Sequence, residues 1–118
     1  MRAIRGATCL ERDDADLMRE AVTELLGEML ARNSIDQDRL VSVILTGTPD
    51  LTSAFPAAGA RALGLVDVPL LCAQEMDVSG ALERVVRVMI HADIDTPRAE
   101  IRHVYLRGAE VLRQDIAQ

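Results

Sequence analysis

The clearest hydrophobic pattern in the sequence predicts a long helix in its first third. Across residues 17–30, apolar side chains recur at intervals of three and four, which is the spacing of one face of an amphipathic helix. Asp13 or Asp14 can cap the start of this helix, and Arg32 with Asn33 can close its end. The acidic outer face is expected to be solvated surface.

Shorter apolar runs predict five strands around this helix. Residues 40–46 are almost continuously apolar, which indicates a strand buried on both faces. The other predicted strands are residues 4–10, 68–73, 83–92 and 101–106. A second, short helix is expected within residues 51–64, started near Pro56 and stopped at Gly64, whereas residues 76–83 are expected to be irregular or briefly helical.

The order of these elements, β-α-β-α-β-β-β, indicates the α+β class with a mixed sheet of about five strands, one long helix and one short helix. A short amphipathic tail over residues 109–118 completes the chain. With 118 residues, half of them apolar, the sequence fits a single globular domain spanning 1–118. A core of that size is modest, so oligomerisation would help to stabilise it.

Composition and charge restrict the classes of function. A formal net charge of −6 disfavours nucleic-acid binding, which requires a basic face. No apolar run has the length of a membrane span, and the start of the chain turns acidic too early for a secretory signal. We therefore expect a cytoplasmic protein without a membrane partner. Cys9 and Cys72 show no CxxC spacing, so free thiols are favoured over a disulfide.

Familiar catalytic and metal-binding motifs are missing from the sequence. Residues 59–64 carry two spaced glycines, but the lysine and serine of a phosphate-binding loop do not follow them. His91 and His103 lie in different predicted strands without spaced partners, so no metal site is expected. Cys72 as a nucleophile with a histidine base stays open, although nothing in its neighbourhood supports that chemistry.

Four polar residues occupy places that packing alone would leave apolar. Arg5, Arg87 and Tyr105 lie within predicted strands, and Glu75 directly follows another strand. A guanidinium remains charged when buried and therefore needs an acidic partner. That partner could be structural, with Glu75 or Asp77 pairing with the arginines, and Tyr105 could be an ordinary core aromatic. Alternatively, the four groups could line a pocket for a small anion that carries hydroxyls.

Four separated blocks of the sequence resemble a known family. They read IRGATCLERD, TPDLTSAFPAAGAR, CAQEMDVSGALERVVRVM and IRHVYLRGAEVLRQD, and their order and spacing are similar to those of the monofunctional AroH-class chorismate mutases. The resemblance, which runs from Ile4 to about Asp115, implies a trimeric α+β pseudo-barrel. It also implies conversion of chorismate to prephenate, the branch step toward phenylalanine and tyrosine. Because this is an intramolecular Claisen rearrangement, no metal and no cofactor are expected.

The resemblance also implies roles for individual residues. Arg87 corresponds to the cation beside the ether oxygen that becomes negative in the transition state. Arg5 and Tyr105 correspond to groups that hold a substrate carboxylate, and Glu75 to the acceptor for the ring hydroxyl, with Cys72 beside it. The other implied substrate-binding positions are Leu71, Ala73, Gln74, Phe55, Ala57, Arg61, Leu112 and Arg113. In the family the pocket lies between neighbouring subunits, so a homotrimer that binds chorismate and prephenate is expected.

Some positions depart from the family pattern, and two other functions stay open. Ala58 stands in place of a lysine, and the tail reads LRQD instead of LRPD and ends at Gln118, earlier than in longer members. These differences bear on substrate capture and not on the central chemistry. The alternatives are a non-catalytic module that binds or senses a small anion on a similar scaffold, and an imine deaminase of the Rid type.

Overall fold

The computed structural model describes residues 1–115, and its helices and strands follow the predicted order. The strands are β1 (Arg2–Cys9), β2 (Leu40–Gly47), β3 (Leu70–Gln74), β4 (Val85–Ala92) and β5 (Val104–Leu106). The α-helices are α1 (Ala15–Arg32) and α2 (Ala57–Ala62), and short 3-10 helices cover Gln37–Arg39, Arg98–Glu100 and Ala109–Asp115. The predicted α+β class is confirmed. The last three residues of the predicted tail lie outside the described residues.

All five strands form one mixed sheet in the order β3-β2-β4-β1-β5. The central strand β4 pairs antiparallel with β1 on one side and with β2 on the other. At the two edges, β3 runs parallel to β2 and β5 runs parallel to β1. This order places Arg87 on the central strand, where its neighbours across the sheet are Ala7 and Thr46.

Helix α1 covers one face of this sheet and supplies much of the core. The buried residues of α1 are Met18, Ala21, Val22, Leu25, Leu26, Met29 and Leu30. Gly6 of β1 permits the close approach of the helix, because a Cβ atom there would lie 2.4 Å from the sulfur of Met29. Of the two candidate caps, Asp14 is the N-cap, and its carboxylate accepts a hydrogen bond from the backbone N–H of Leu17 at 3.0 Å.

The prediction that β2 is buried on both faces is wrong for the single chain. Val41 is 41% exposed and Ile44 is 36% exposed, because α1 covers only one side of the sheet. The continuous apolar character of the strand therefore leaves an apolar strip on the open face.

The predicted start of the second helix near Pro56 is confirmed, whereas the predicted start of the last strand is too early. Helix α2 begins at Ala57 with Pro56 at its N-cap, and it ends at Ala62, two residues before Gly64. The chain leaves this helix through Gly64, whose φ of +99° favours glycine. Strand β5 begins at Val104, three residues after the predicted start at residue 101.

Neither α-helix within residues 1–115 combines the length and the apolarity needed to cross a membrane.

Candidate active site

A half-buried ion pair lies on the open face of the sheet. Arg87 projects from β4 and donates its Nε–H to Oε2 of Glu75 at 2.6 Å. The two side chains are 37% and 21% exposed, so the pair is screened less than a surface salt bridge. Glu75 reaches over β2 from the end of β3, and its own backbone N–H donates to the carbonyl of Gly47 at 2.9 Å. The structural interpretation of Arg87 is therefore correct for the chain by itself.

The same pair also lines a pocket of about 570 Å³, together with Arg5 and Tyr105. The sheet register explains why these residues meet: Arg87 and Tyr105 lie in one cross-strand row, separated by Ala7 of β1. Arg5 lies two residues before Ala7 and therefore points to the same face. All four polar residues singled out from the sequence thus line one pocket. Its volume is within the range of small-molecule sites.

The pocket is locally positive although the chain as a whole is acidic. Its lining includes two guanidinium groups and one carboxylate, and none of the ion pairs within the described residues involves Arg5. Beside Arg5, Nδ1 of His103 accepts the backbone N–H of Arg5 at 2.9 Å, which leaves the ring proton on Nε2. Burial, and secondly the charge of Arg5, lower the pKa of His103 below 6.5. The two guanidiniums of the lining supply its permanent positive charge.

The structure adds pocket residues that the sequence analysis did not select. Thr46 lies directly opposite Arg87 on β2, while Met89 and His91 follow Arg87 on the same face of β4. Met89 and His91 could have been predicted from the sequence, because side chains alternate between the two faces of a strand. Residues two and four positions after Arg87 must therefore share its face. Thr46 could not be found in that way, because its position depends on the pairing of β2 with β4.

A second depression, of about 440 Å³, contains another part of the expected site. Phe55, Cys72, Ala73 and Gln74 line it, and Phe55 is 71% exposed. Cys72 and Glu75 therefore lie in different depressions of the single chain, although the resemblance implies one shared site. No histidine lines the depression of Cys72, so its residues offer no base for a thiol nucleophile.

The remaining expected positions line neither depression. Leu71 is 63% exposed on the open face of the sheet, and Arg61 is exposed on α2. Ala57 is buried at the start of the same helix. Leu112 packs against the small cluster around Tyr105, whereas Arg113 is exposed. A role for these positions in substrate binding stays a prediction.

Within residues 1–115, no group of three or more histidine, cysteine, aspartate or glutamate side chains is arranged to hold a metal ion. Cys9 and Cys72 are both free thiols. The chemical resources of the pocket are therefore two guanidiniums, one carboxylate, one phenol, one imidazole, and the hydroxyl and apolar side chains around them. Such a set can bind and orient an anion that carries hydroxyls, and it can stabilise developing negative charge.

Together, the fold and the pocket define an α+β protein with a pocket lined by two arginines on the open face of its sheet. Residues 1–116 match the family model described as chorismate mutase type I. The chain belongs to this family, whose members are isomerases. The family and the enzyme class inferred from the four sequence blocks are confirmed.

Individual relatives are similar over nearly their full length. The chain is 49% identical over 117 residues to chorismate mutase AroH of Thermus thermophilus, which covers 98% of this chain and 96% of that protein. It is 42% identical over 118 residues to chorismate mutase AroH of Bacillus subtilis (strain 168), which covers 99% and 93%. A solved chorismate mutase from Clostridium thermocellum superposes with a TM-score of 0.92 at 43% identity, covering 94% of this chain and 99% of that one.

Proposed function

We propose that this chain catalyses the rearrangement of chorismate to prephenate in the biosynthesis of phenylalanine and tyrosine. The observation that carries the proposal is the convergence of Arg5, Glu75, Arg87 and Tyr105 on one pocket. The family to which the chain belongs supplies the substrate class. Residues 1–118 would act as one chorismate mutase domain, and a cytoplasmic location agrees with its two free thiols.

The first task of the site is to hold a flexible dianion in the compact conformation from which the new C–C bond forms. Arg5 can bind a carboxylate through two parallel hydrogen bonds, and Tyr105 can donate to the same group. Glu75 can accept a hydrogen bond from the ring hydroxyl. Fixing the substrate in this way removes unproductive conformations, which is a positioning effect.

The second task is to stabilise the ether oxygen, which becomes negative as its bond to the ring breaks. Arg87 is suited to this role because Glu75 engages its Nε, and a guanidinium carries further N–H donors on its two terminal amino groups. These amino groups can therefore face the substrate. A preorganised donor of this kind contributes about 3–4 kcal/mol to stabilisation of the transition state. The rearrangement is intramolecular, so no nucleophile takes part.

We also propose that the working enzyme is a homotrimer whose pockets lie between subunits. The open face carries a row of apolar side chains from three neighbouring strands: Leu71, Ile44 and Met89. Leu71 and Ile44 are 63% and 36% exposed, and an apolar face of this kind indicates an interface. An adjoining copy that covers this face could bring its own Phe55 depression to the edge of the Arg87 pocket.

A composite pocket would also meet the charge demand of the substrate. Chorismate carries two carboxylates, whereas Arg5, Arg87 and Glu75 together supply a formal charge of only +1. Arg61, beside Ala57 on α2, or Arg113, beside Leu112 in the tail, could supply further positive charge from a neighbouring subunit. Cys72, Ala73 and Gln74 would then form the wall opposite Arg87, with Leu71 next to them at the interface.

The direct test is to incubate the purified protein with chorismate and to follow both the loss of chorismate absorbance and the formation of prephenate. We expect strong acceleration over the rate in buffer alone. A rate equal to the buffer rate would contradict the proposal. Calorimetry would then detect binding without conversion, as expected for a non-catalytic module, and an assay with imino acids would detect a Rid-type deaminase.

A further inference from the structure

Asp13 joins the start of α1 to a loop that follows β2. It directly precedes the N-cap of the helix, yet its hydrogen-bond partners lie 39 and 40 positions along the chain. Its carboxylate accepts the backbone N–H of Thr52 at 3.0 Å, the hydroxyl of Thr52 at 2.8 Å and the backbone N–H of Ser53 at 3.1 Å. Its backbone carbonyl accepts the hydroxyl of Ser53 at 3.1 Å. Four hydrogen bonds thus converge on one residue.

The loop that Asp13 binds is residues 48–55, which we call the wall loop. Its first half is attached to the residue before β4 through Asp50, whose carboxylate accepts the backbone N–H of Arg84 at 3.0 Å. The same carboxylate accepts the hydroxyl of Thr48 within the loop at 2.5 Å. Its second half is attached to the start of α1 through Asp13. Among the side-chain hydrogen bonds of residues 1–115, only those with Asp13 hold this half. Removing Asp13 would therefore take away the side-chain hydrogen bonds of one half of the loop and leave those of the other half in place.

The wall loop ends at Phe55, a large aromatic residue that is 71% exposed. Its ring lines the 440 Å³ depression, but no close packing fixes it there. The position of such a side chain depends on the backbone that carries it. Asp13 holds that backbone at the two residues Thr52 and Ser53, immediately before the Ala54–Phe55 segment.

We propose that Asp13 is a positioning residue, which fixes the wall loop so that Phe55 closes the substrate pocket of the adjoining subunit. The inference rests on the proposed function and extends it to a residue that does not touch the substrate. The hydrogen bonds from Thr52, and then those from Ser53, lower the pKa of Asp13 below 3.8. The carboxylate is therefore ionised at neutral pH, when all of its acceptor positions are available.

Replacement of Asp13 tests this role through the balance between KM and kcat. Asp13→Ala is expected to raise KM for chorismate roughly tenfold while kcat changes less than about threefold, because the pocket wall contacts the ground state and the transition state alike. Asp13→Asn keeps one acceptor oxygen and should recover part of the loss. Asp16→Ala is the matched control, since it removes another carboxylate from the start of α1, one that pairs with Arg19 at 2.8 Å. The control should leave both constants within about twofold.

A second measurement does not depend on catalysis. The chain contains no tryptophan, so a Phe55→Trp substitution creates a single tryptophan on the wall loop, whose emission can be excited selectively over that of the one tyrosine. Adding Asp13→Ala to this reporter should lower its fluorescence anisotropy and raise its quenching by acrylamide, whereas adding Asp16→Ala should change neither. If the unsubstituted protein lacked mutase activity, the proposed function would fail, while the fluorescence would still test the attachment of the loop.

Several outcomes would overturn the inference. The first is that Asp13→Ala has the same KM and kcat as Asp16→Ala. The second is that Asp13→Ala lowers kcat and leaves KM unchanged. Unchanged anisotropy of the tryptophan reporter is a third. If Asp13→Ala does not fold, Thr52→Val decides the question, because it removes only the exposed hydroxyl that donates to Asp13. Thr52→Val should also raise KM, by a smaller factor than Asp13→Ala, and an unchanged KM would contradict the role.

Discussion

At the scale of single residues, the central feature is a guanidinium that is oriented within its own chain. The bond from Arg87 to Glu75, at 2.6 Å, limits the directions in which the terminal amino groups can point. Little reorganisation is then needed when the ether oxygen of the substrate becomes negative, which is the condition under which a charged donor is most effective. Glu75 also offsets part of the positive charge before the substrate binds. Under the proposed function, the pair would be structural and catalytic at the same time.

Arg87→Ala should lower kcat sharply, by a factor of about 10²–10³, because the charge that Arg87 meets develops mainly in the transition state. Arg87→Lys should recover only part of the loss, since an ammonium keeps the charge but lacks the planar fork of donors. Steady-state kinetics with chorismate provides the measurement. Arg39→Ala, at an exposed arginine in a 3-10 helix, is the control. A rise in KM alone would show that the assigned role is wrong.

At the scale of elements, the contact between α1 and α2 determines where the Phe55 depression lies. A Cβ atom at Gly59 of α2 would lie 2.5 Å from Cβ of Val22, so the helices approach too closely for any larger residue. The hydroxyl of Thr23 reinforces the contact by donating to the carbonyl of Gly59 at 3.0 Å. Pro56, at the N-cap of α2, thereby has a fixed position relative to the core.

Gly59→Ala should lower the free energy of unfolding by about 1–3 kcal/mol, because the added methyl group collides with the side chain of Val22. Gly27→Ala is a matched control within α1, where a Cβ atom meets nothing within 4 Å. It should raise the free energy of unfolding by about 0.5–1 kcal/mol through helix propensity. Urea unfolding at one fixed protein concentration measures both variants. Equal stabilities of the two variants would contradict this account of the contact.

The sequence predicted the elements themselves better than their limits. The amphipathic period identified α1 and its capping region, because that pattern depends only on neighbours along the chain. The start of α2 near Pro56 was predicted correctly, whereas β5 begins three residues after its predicted start, at Val104, because its pairing with β1 begins there. The predicted two-sided burial of β2 failed because hydrophobicity alone does not say whether a helix or another subunit covers a face.

At the scale of the whole molecule, one chain carries two separate depressions, each lined by residues that are expected in the substrate site. Arg5, Glu75, Arg87 and Tyr105 line one pocket, and the depression of Phe55 is separate from it. The exposed apolar row across β3, β2 and β4 connects the two observations, because a copy of the chain that covers this row could bring the two parts together. The proposed trimer makes this arrangement testable.

Mixing two inactive variants should restore activity if each pocket draws on two subunits. Arg87→Ala damages one part of the site, and Phe55→Asp places a repelling carboxylate in the other part. In a trimer that contains both variants, one interface joins two undamaged parts, so refolding the variants together should recover part of the mutase activity. Native mass spectrometry would verify that the mixed trimers form.

The control for this experiment mixes Arg87→Ala with Glu75→Ala. Both residues line the same pocket of one chain, so every interface would keep one of the defects and no activity should return. Recovery in the control as well as in the test would contradict the proposed division of the pocket. An absence of recovery in both mixtures, despite mixed trimers, would place the whole site within one subunit.

The sequence by itself determined the class of fold, the long helix, the approximate strands and the family. It also identified Arg5, Glu75, Arg87 and Tyr105 as the polar residues that required an explanation. These inferences were possible because periodicity and local sequence blocks are properties of neighbours along the chain. They say which face of an element a side chain occupies, but they do not say what lies opposite that face.

Only the tertiary structure decided the rest. It placed β4 between β1 and β2, which lets Glu75 reach Arg87 across β2 and puts Tyr105 in the same row as Arg87. It also separated Cys72 from that pocket and bound Asp13 to the wall loop. Strand order, register and contacts over 39 positions depend on how distant segments pack together. No local pattern contains that information, because it arises only when the chain closes around its core.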